Sequence, residues 1–474
     1  MTEPILIAGE LVEGSGEPIH LENPKDGSAC GIYSTASLGD LDRALQSSNG
    51  ASDSWSNIFP HERARYLYKV AELVDRDSEK LANLQMHQNG KTITECRAQS
   101  KSCAAIFRYF AGVCETQEGA VTTPRSNNIS MTIHEPYGLV GLITPWNSPL
   151  TMDAQKLAPA IAAGNTVLLK PSEVTPGVGL ALGKLCVEAG IPPKLINVLN
   201  GNGSQLGSAI VSHPDVAMVS FTGGTSTGKK IAHLAAEKLM PVALELGGKS
   251  PNIVFQDANI DEALIGVSSG IFSSTGQSCV AGSRLFVQEN IYEEFLDRLI
   301  NIAESYKIGD PGCESTEIGP LATFRQRKIV EDYIYSATDN GGKILAGGSR
   351  PEGLENGAFF EPTILGDIDP RSKIFQEEVF GPVLIILPFK EEEELISLAN
   401  NSVYGLACGI WTNDMKKAWR VAKSIKAGTV WINTYKLLSI ANPFGGTKES
   451  GLGREKGREG LGLYQEQKTV VFSI

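Results

Sequence analysis

From about residue 130 onward, short β-rich runs alternate with amphipathic helical stretches, and this alternation restricts the chain to few folds. "YGLVGLIT", "NTVLLK", "INVL" and "DVAMVSF" read as strands, separated by helical stretches over 152–163, 176–190 and 204–212. A further helix is expected in "TGKKIAHLAAEKLM", with Ile231, Leu234, Ala235 and Leu239 on one face. A second series begins near 250: strand "SPNIVF", helix 260–274, strand "SRLFVQ", helix 290–306. Parallel strands need a crossover connection, which such helices supply. The expectation is therefore an α/β chain with two mostly parallel sheets. Residues 118–136 alternate polar and apolar side chains without a helical period and read as an antiparallel ribbon leaving the first domain.

The 474 residues suit two large domains or about three ordinary ones. A chain of this length buries a large core without disulfides. Its formal charge of −12 argues against nucleic acid or an anionic membrane as partner, since both reward basic patches. The N-terminal "MTEPILIAGELVEGSG" carries acidic residues where a secretory signal needs basic ones. The uncharged run "YGLVGLITPWNSPLTM" is 16 residues long and broken by prolines, too short to span a bilayer. Eight cysteines form no C-x-x-C pair. Free thiols in a reducing cytoplasm, with no structural metal, are the expectation.

Two glycine-rich loops compete as phosphate sites. In "SFTGGTSTGKKI", Gly223, Gly228 and Lys229 have the spacing of an ATP-binding loop, but Lys230 stands where Ser or Thr would hold magnesium. The loop opens a helix, so its amides suit a pyrophosphate without metal. "GNGSQLG" over 201–207 has one residue too many for the dinucleotide fingerprint. By spacing alone, each is either a phosphate cradle or an ordinary turn.

Three polar residues stand in informative surroundings. Cys279 lies among small residues in "FSSTGQSCVAGSRL", either a buried thiol or a nucleophile with room for a substrate. Glu245 in "ALELGGKSPNIVF" is either a surface ion-pair partner or a desolvated general base. Asn147 in "ITPWNSPL" sits between two prolines, a turn residue or a rigid oxyanion donor.

Together these stretches resemble the NAD(P)-dependent aldehyde dehydrogenases, of the hydrolytic type. The resemblance is carried by "ITPWN" 143–147, "LLKPSE" 168–173, "FTGGTSTG" 221–228, "LELGGKSP" 244–251 and "GQSCVAGSR" 276–284. It continues in "EEVFGPV" 377–383, "GTVWIN" 428–433 and "PFGGTKESGLGRE" 443–455. It implies two Rossmann-like domains, cofactor-binding (1–113 and 137–247) and catalytic (248–448), plus β oligomerisation elements at 114–136 and 449–474. It makes Cys279 the nucleophile on the aldehyde carbon. Asn147 and the Cys279 N–H become the oxyanion donors, and Glu245 the base that activates water against the thioester.

The resemblance also implies the cofactor contacts. Lys170, Ser172 and Glu173 hold the adenosine ribose, and Ile143, Thr144, Pro145 and Trp146 line one side. Phe221, Gly223, Gly224 and Leu246 approach the pyrophosphate and nicotinamide half, with Thr227 near the adenine. Glu378, Phe380 and Gln326 serve the nicotinamide ribose. NAD is favoured over NADP, because Glu173 opposes a 2′-phosphate: like charges at ~4 Å and an effective dielectric of ~20 repel by ~4 kcal/mol. Gly224 departs from many relatives, which have Ser there.

The ribbon and the tail "LGLYQEQKTVVFSI" resemble elements that join subunits, so a homodimer or homotetramer is expected. The resemblance lines the substrate tunnel with Ser148, Thr151, Met152, Gln155, Ser278, Val280, Tyr435, Lys436, Leu437 and Leu438. Polar walls and the Lys436 cation leave an aromatic, medium-sized or carboxylate-bearing aldehyde open. The rivals are a CoA-acylating semialdehyde dehydrogenase, disfavoured by Glu245, and a non-catalytic protein that kept the fold.

Overall fold

The computed structural model describes residues 2–474. Its first sheet has eight strands in the order Gly451–Leu452, Val242–Glu245, Met218–Thr222, Leu139–Ile143, Thr166–Lys170, Ile196–Val198, Ile5–Ile7, Glu10–Val12. The five strands between residues 139 and 245 are mutually parallel, and antiparallel strands close both edges. In the fully buried strand "TVLLK" the central residues Val167, Leu168 and Leu169 are apolar in succession, because helices cover both faces.

The helices Pro60–Arg76, Ile93–Cys114, Pro149–Ala162 and Pro176–Glu188 supply much of that cover. Pro60–Arg76 buries Leu67, Val70, Ala71 and Val74, spaced by three and four residues, on one face. Each such large aliphatic side chain contributes about 1.5–3 kcal/mol on full burial.

The second sheet runs Lys343–Ala346, Thr363–Gly366, Val383–Phe389, Arg284–Gln288, Pro251–Val254, Ala407–Trp411, Thr429–Ile432. All but its first strand are parallel. The chain crosses from the carboxyl edge of the first sheet at Glu245 to the amino edge of the second at Pro251 through five residues. Side chains in that crossing therefore lie between the two sheets.

Three features differ from the sequence expectations. The helix Thr225–Ala236 ends before Leu239, which is 90% exposed with φ +54. The chain turns there into Val242–Glu245, and Met240 takes the buried place instead. The segment 449–474 divides. Gly451–Leu452 extends the first sheet, while Leu461 and Tyr464 enter its core. Only Gln465–Ser473 joins the ribbon, pairing antiparallel with Asn128–Pro136, which also pairs with Val121–Arg125. The third difference is a small sheet of Thr2–Glu3, Ala29–Thr35 and Gly16–Glu22, for which no strand was expected. No described helix is long and apolar enough to cross a membrane.

Candidate active site

In the first sheet, Leu139–Ile143 has Thr166–Lys170 on one side and Met218–Thr222 on the other. Chain order reverses there, and a crevice opens beyond the carboxyl ends of such diverging strands. The two loops that leave these ends are 144–148 and 223–224. The resulting cleft, about 250 Å³ in volume, is lined by Pro145, Trp146, Asn147, Met152, Thr222, Gly223, Gly224, Glu245, Leu246, Gly247, Cys279, Gln326, Glu378 and Phe380.

The loop 144–148 is fixed from several sides. Asn89 Nδ2 donates to the Trp146 carbonyl at 2.9 Å, and the Trp146 ring meets Phe380 edge-on at 5.3 Å. Asn147 Nδ2 donates to the Gln277 carbonyl at 2.9 Å, which ties the asparagine to the cysteine loop. Its second N–H remains free for another acceptor.

The cysteine loop is strained and tightly packed. Ser274 and Thr275 have φ of 58° and 53°, costly for residues with a Cβ. Gly276 has φ +70, and a Cβ there would lie 2.0 Å from the Gly381 carbonyl oxygen. Gln277 Oε1 accepts from the Ala322 N–H at 2.9 Å and anchors the turn from a third direction. Cys279 is half-buried. Burial pushes its thiol up to about 12, with Glu378 and Glu245 adding to the shift and Lys456 and Lys436 opposing it.

Glu245 ends its strand 5% exposed, and neither carboxyl oxygen has a hydrogen-bond partner. Burial, then the negative charge of Glu455, pushes its carboxyl well above the ordinary range, against the pull of Lys156, Arg454 and Lys456. An unpartnered buried carboxyl is costly to keep, so such groups are candidates for chemistry.

The remaining expected cofactor positions are distributed along the same crevice. Ile143 and Phe221 are buried at the ends of their strands, and Thr144 is buried beside them. Gln326 Nε2 donates to the carbonyls of Val379 and Phe380, holding the loop in which Phe380 has φ +56. Glu378 accepts from the Gly248 N–H at 3.0 Å, and burial raises its carboxyl to about 7. Buried Lys170 donates to the Pro171 carbonyl at 3.1 Å, while Ser172 Oγ accepts from the Val174 N–H.

Glu173 accepts from the Gly203 N–H and lines a second, outer cavity with Asn202, Gln205, Leu206 and Ala209. Thr227 is exposed and lines neither cavity. Sequence reasoning missed Thr222 and Gly247 in the inner cleft, and Asn202 and Gln205 in the outer. Their signal was membership of stretches already singled out: Thr222 in "FTGGTSTG", Gly247 in "LELGGKSP", and Asn202 and Gln205 in "GNGSQLG".

The expected tunnel residues divide. Met152 lines the cleft. Ser148 Oγ accepts from Gln99 Nε2 at 3.0 Å, and Thr151 and Ser278 are half-buried. Val280 is buried, and its carbonyl accepts from the Tyr435 hydroxyl at 3.0 Å. Gln155 turns away from the cleft: its Nε2 donates to Glu455 inside the core. Lys436 Nζ donates to Ser273 Oγ at 2.8 Å. Leu437 is 73% exposed, its carbonyl accepting from Trp431 Nε1, and Leu438 is also exposed.

No cluster of metal-ligating side chains exists among the described residues. The aldehyde dehydrogenase family model matches residues 11–470. A betaine aldehyde dehydrogenase of Bacillus subtilis (strain 168) is 41% identical over 476 residues, covering 99% of this chain and 97% of that protein. The solved structure of PnpE in complex with nicotinamide adenine dinucleotide superposes with a TM-score of 0.98 at 40% identity, covering 100% of this chain and 98% of that one. A betaine aldehyde dehydrogenase from Staphylococcus aureus in complex with NAD+ gives 0.97 at 38% identity, covering 100% and 95%. The chain belongs to the aldehyde dehydrogenase family.

Proposed function

We propose that this protein oxidises an aldehyde to the carboxylic acid with NAD, through a covalent thioester on Cys279. One observation carries this reading: Asn147, Glu245 and Cys279, from three separated chain segments, line one cleft at the switch point of a parallel sheet.

The cleft suits a dinucleotide. Glu173 in the outer cavity and Glu378 in the inner one offer a carboxyl for each ribose. Thr222 Oγ1 is buried without a partner and available to a polar ligand. Gly224 leaves open space at the N-terminus of the helix Thr225–Ala236, as a pyrophosphate requires. Because Glu173 is tied to the Gly203 N–H beside that cavity, NAD is preferred over NADP.

The thiol is protonated at rest, so attack requires that its proton leave as Sγ bonds to the carbonyl carbon. Glu245, in the same cleft, is the acceptor. The aldehyde oxygen takes the negative charge and is held by the free Asn147 N–H and the Cys279 backbone N–H. Each such donor lowers the barrier by about 3 kcal/mol. A bound nicotinamide supplies the acceptor for the hydride released from that carbon. Glu245 passes the thiol proton to solvent and then takes a proton from water as the water oxygen attacks the thioester; the C–S bond breaks, and that second proton goes to sulfur. Water and aldehyde become acid, with two electrons passed on and one proton released. Two moderate barriers replace one high one.

Unpartnered Glu245 favours water over coenzyme A as the thioester acceptor. Val471 and Phe472 lie exposed on the Gln465–Ser473 edge, which supports pairing with a second copy in a homodimer or homotetramer. The test is NADH formation from a panel of aldehydes. Turnover that Cys279→Ala abolishes is expected, and turnover that survives this change overturns the mechanism.

A further inference from the structure

Two lysines outside the lining of the cofactor cleft lie near enough to the thiol for their charge to act on it, and neither forms an ion pair with a described carboxylate. Lys456 is 8% exposed, with its ammonium 4.9 Å over the Phe444 ring. The ammonium makes no hydrogen bond or ion pair with any described residue; only charge at a distance reaches it, from Glu455, Cys279 and Glu245. Phe444 belongs to the cluster that holds Val280 and Tyr435, against which Cys279 packs. The Phe444–Glu455 bridge and the Gly457 N–H on the Ile440 carbonyl fix Lys456 across the 436–444 loop. Lys436 opens that loop at φ +56, its ammonium donating to Ser273 Oγ at 2.8 Å and to the Ser269 carbonyl at 3.4 Å, with Glu95, Lys91 and Cys279 within reach of its charge.

The neighbouring carboxylates are engaged elsewhere. Glu455 accepts from Lys156, Gln155 and Ser220. Glu95 accepts from the Ser274 N–H at 2.7 Å, the Ser274 hydroxyl at 3.1 Å and the Thr92 hydroxyl at 3.2 Å. A buried ammonium without a partner is costly, and an arriving anion removes that cost.

We propose that Lys456 and Lys436 form an anion subsite near Cys279, outside the lining of the cofactor cleft, and that the substrate is an aldehyde bearing a carboxylate. Neither lysine lines the cleft, yet these two are cations whose field reaches its sulfur. The carbonyl then meets Cys279 while the distal carboxylate pairs with the lysines. A cationic aldehyde, such as the one named for the betaine aldehyde relatives, meets repulsion there.

This rests on the oxidation proposed above, so the test uses matched pairs: 4-oxobutanoate with butanal, and 4-carboxybenzaldehyde with benzaldehyde, plus betaine aldehyde. The readout is the carboxylate-to-neutral ratio of kcat/KM. In the unaltered enzyme the ratio exceeds about tenfold, as a charge-assisted contact allows. Lys456→Met lowers it by about tenfold or more, chiefly through KM, and Lys456→Arg restores part of it. The ratio also falls as pH rises past about 8, where Lys436, lowered by burial, loses its proton. Neutral aldehydes oxidised by Cys279 with no carboxylate preference, or a ratio unmoved by Lys456→Met, overturn the subsite alone. Equal losses on both members of a pair assign Lys456 to the thiol's field and also overturn it. Turnover of no aldehyde overturns the oxidation reading and the subsite together.

Discussion

Glu245 and Glu455 are both buried, and they lie close enough for the charge of Glu455 to act on Glu245, yet they are satisfied in opposite ways. Glu455 accepts from Lys156 Nζ, Gln155 Nε2 and Ser220 Oγ. Glu245 accepts from nothing. Glu455 is met by three donors, one of them an ammonium; the isolation of Glu245 raises its affinity for a proton. Satisfied buried charge reads as architecture and unsatisfied buried charge as chemistry. Lys156 and Lys456 repeat the contrast, one in an ion pair and the other with only the face of Phe444.

The sharpest way to break this comparison is Glu245→Gln. Loss of a general base lowers steady-state kcat by about 10²–10⁴-fold, and NADH from the first turnover also appears more slowly, because the same carboxylate takes the thiol proton. Thermal stability is unchanged or higher, because no hydrogen bond is lost and a poorly solvated acid is removed. A lower Tm with little change in kcat would reverse the roles assigned to the two glutamates. Glu455→Ala should behave oppositely. It leaves Lys156 charged, buried and unpaired, at a cost of about 3–5 kcal/mol, read as an earlier midpoint in thermal or denaturant unfolding.

That contrast was only half legible in the sequence. Cys279, Glu245 and Asn147 stood in recognisable stretches, and strand–helix alternation carried the parallel sheets, because periodicity survives in one dimension. What failed depends on three-dimensional partners. Gln155 has the polarity of a tunnel wall, but its amide turns inward to Glu455, some 300 residues away in the chain. Leu239 has the spacing of a buried helical position, yet the helix ends at Ala236. Lys456 lay beside a glycine-rich stretch, and nothing local announced that its neighbour Glu455 was already engaged. The small N-terminal sheet escaped notice because its strands carry little regular alternation.

The coupling between the two glutamates sharpens the comparison further. The charge on Glu455 disfavours a second negative charge on Glu245 and so raises its carboxyl. The working base is the ionised form, so kcat falls on the acid side of a limb displaced above the ordinary carboxylate range. Glu455→Gln removes the opposing charge and leaves Lys156 to attract the carboxylate. The limb then moves toward lower pH, by about half a unit to one unit. A kcat–pH profile of the two proteins decides it. A shift to higher pH, or none, would mean that the Glu455 charge does not reach Glu245.

The smallest effect belongs to replacing both ends of the buried ion pair. If Glu455 and Lys156 serve architecture alone, their charges are dispensable together though not singly. Lys156→Met with Glu455→Leu removes both desolvated charges and keeps much of the volume. Such exchanges are often neutral or stabilising. Two polar groups lose their acceptor: Gln155 Nε2 and Ser220 Oγ, at about 1 kcal/mol each. Gln155 Oε1 already lacks a partner, so nothing further is lost there. The double variant should therefore unfold close to the parent, within about 2 kcal/mol, and well above either single variant. A double variant as unstable as Glu455→Ala would show that hydrogen bonds to Glu455, rather than the compensation of charge, hold this region together.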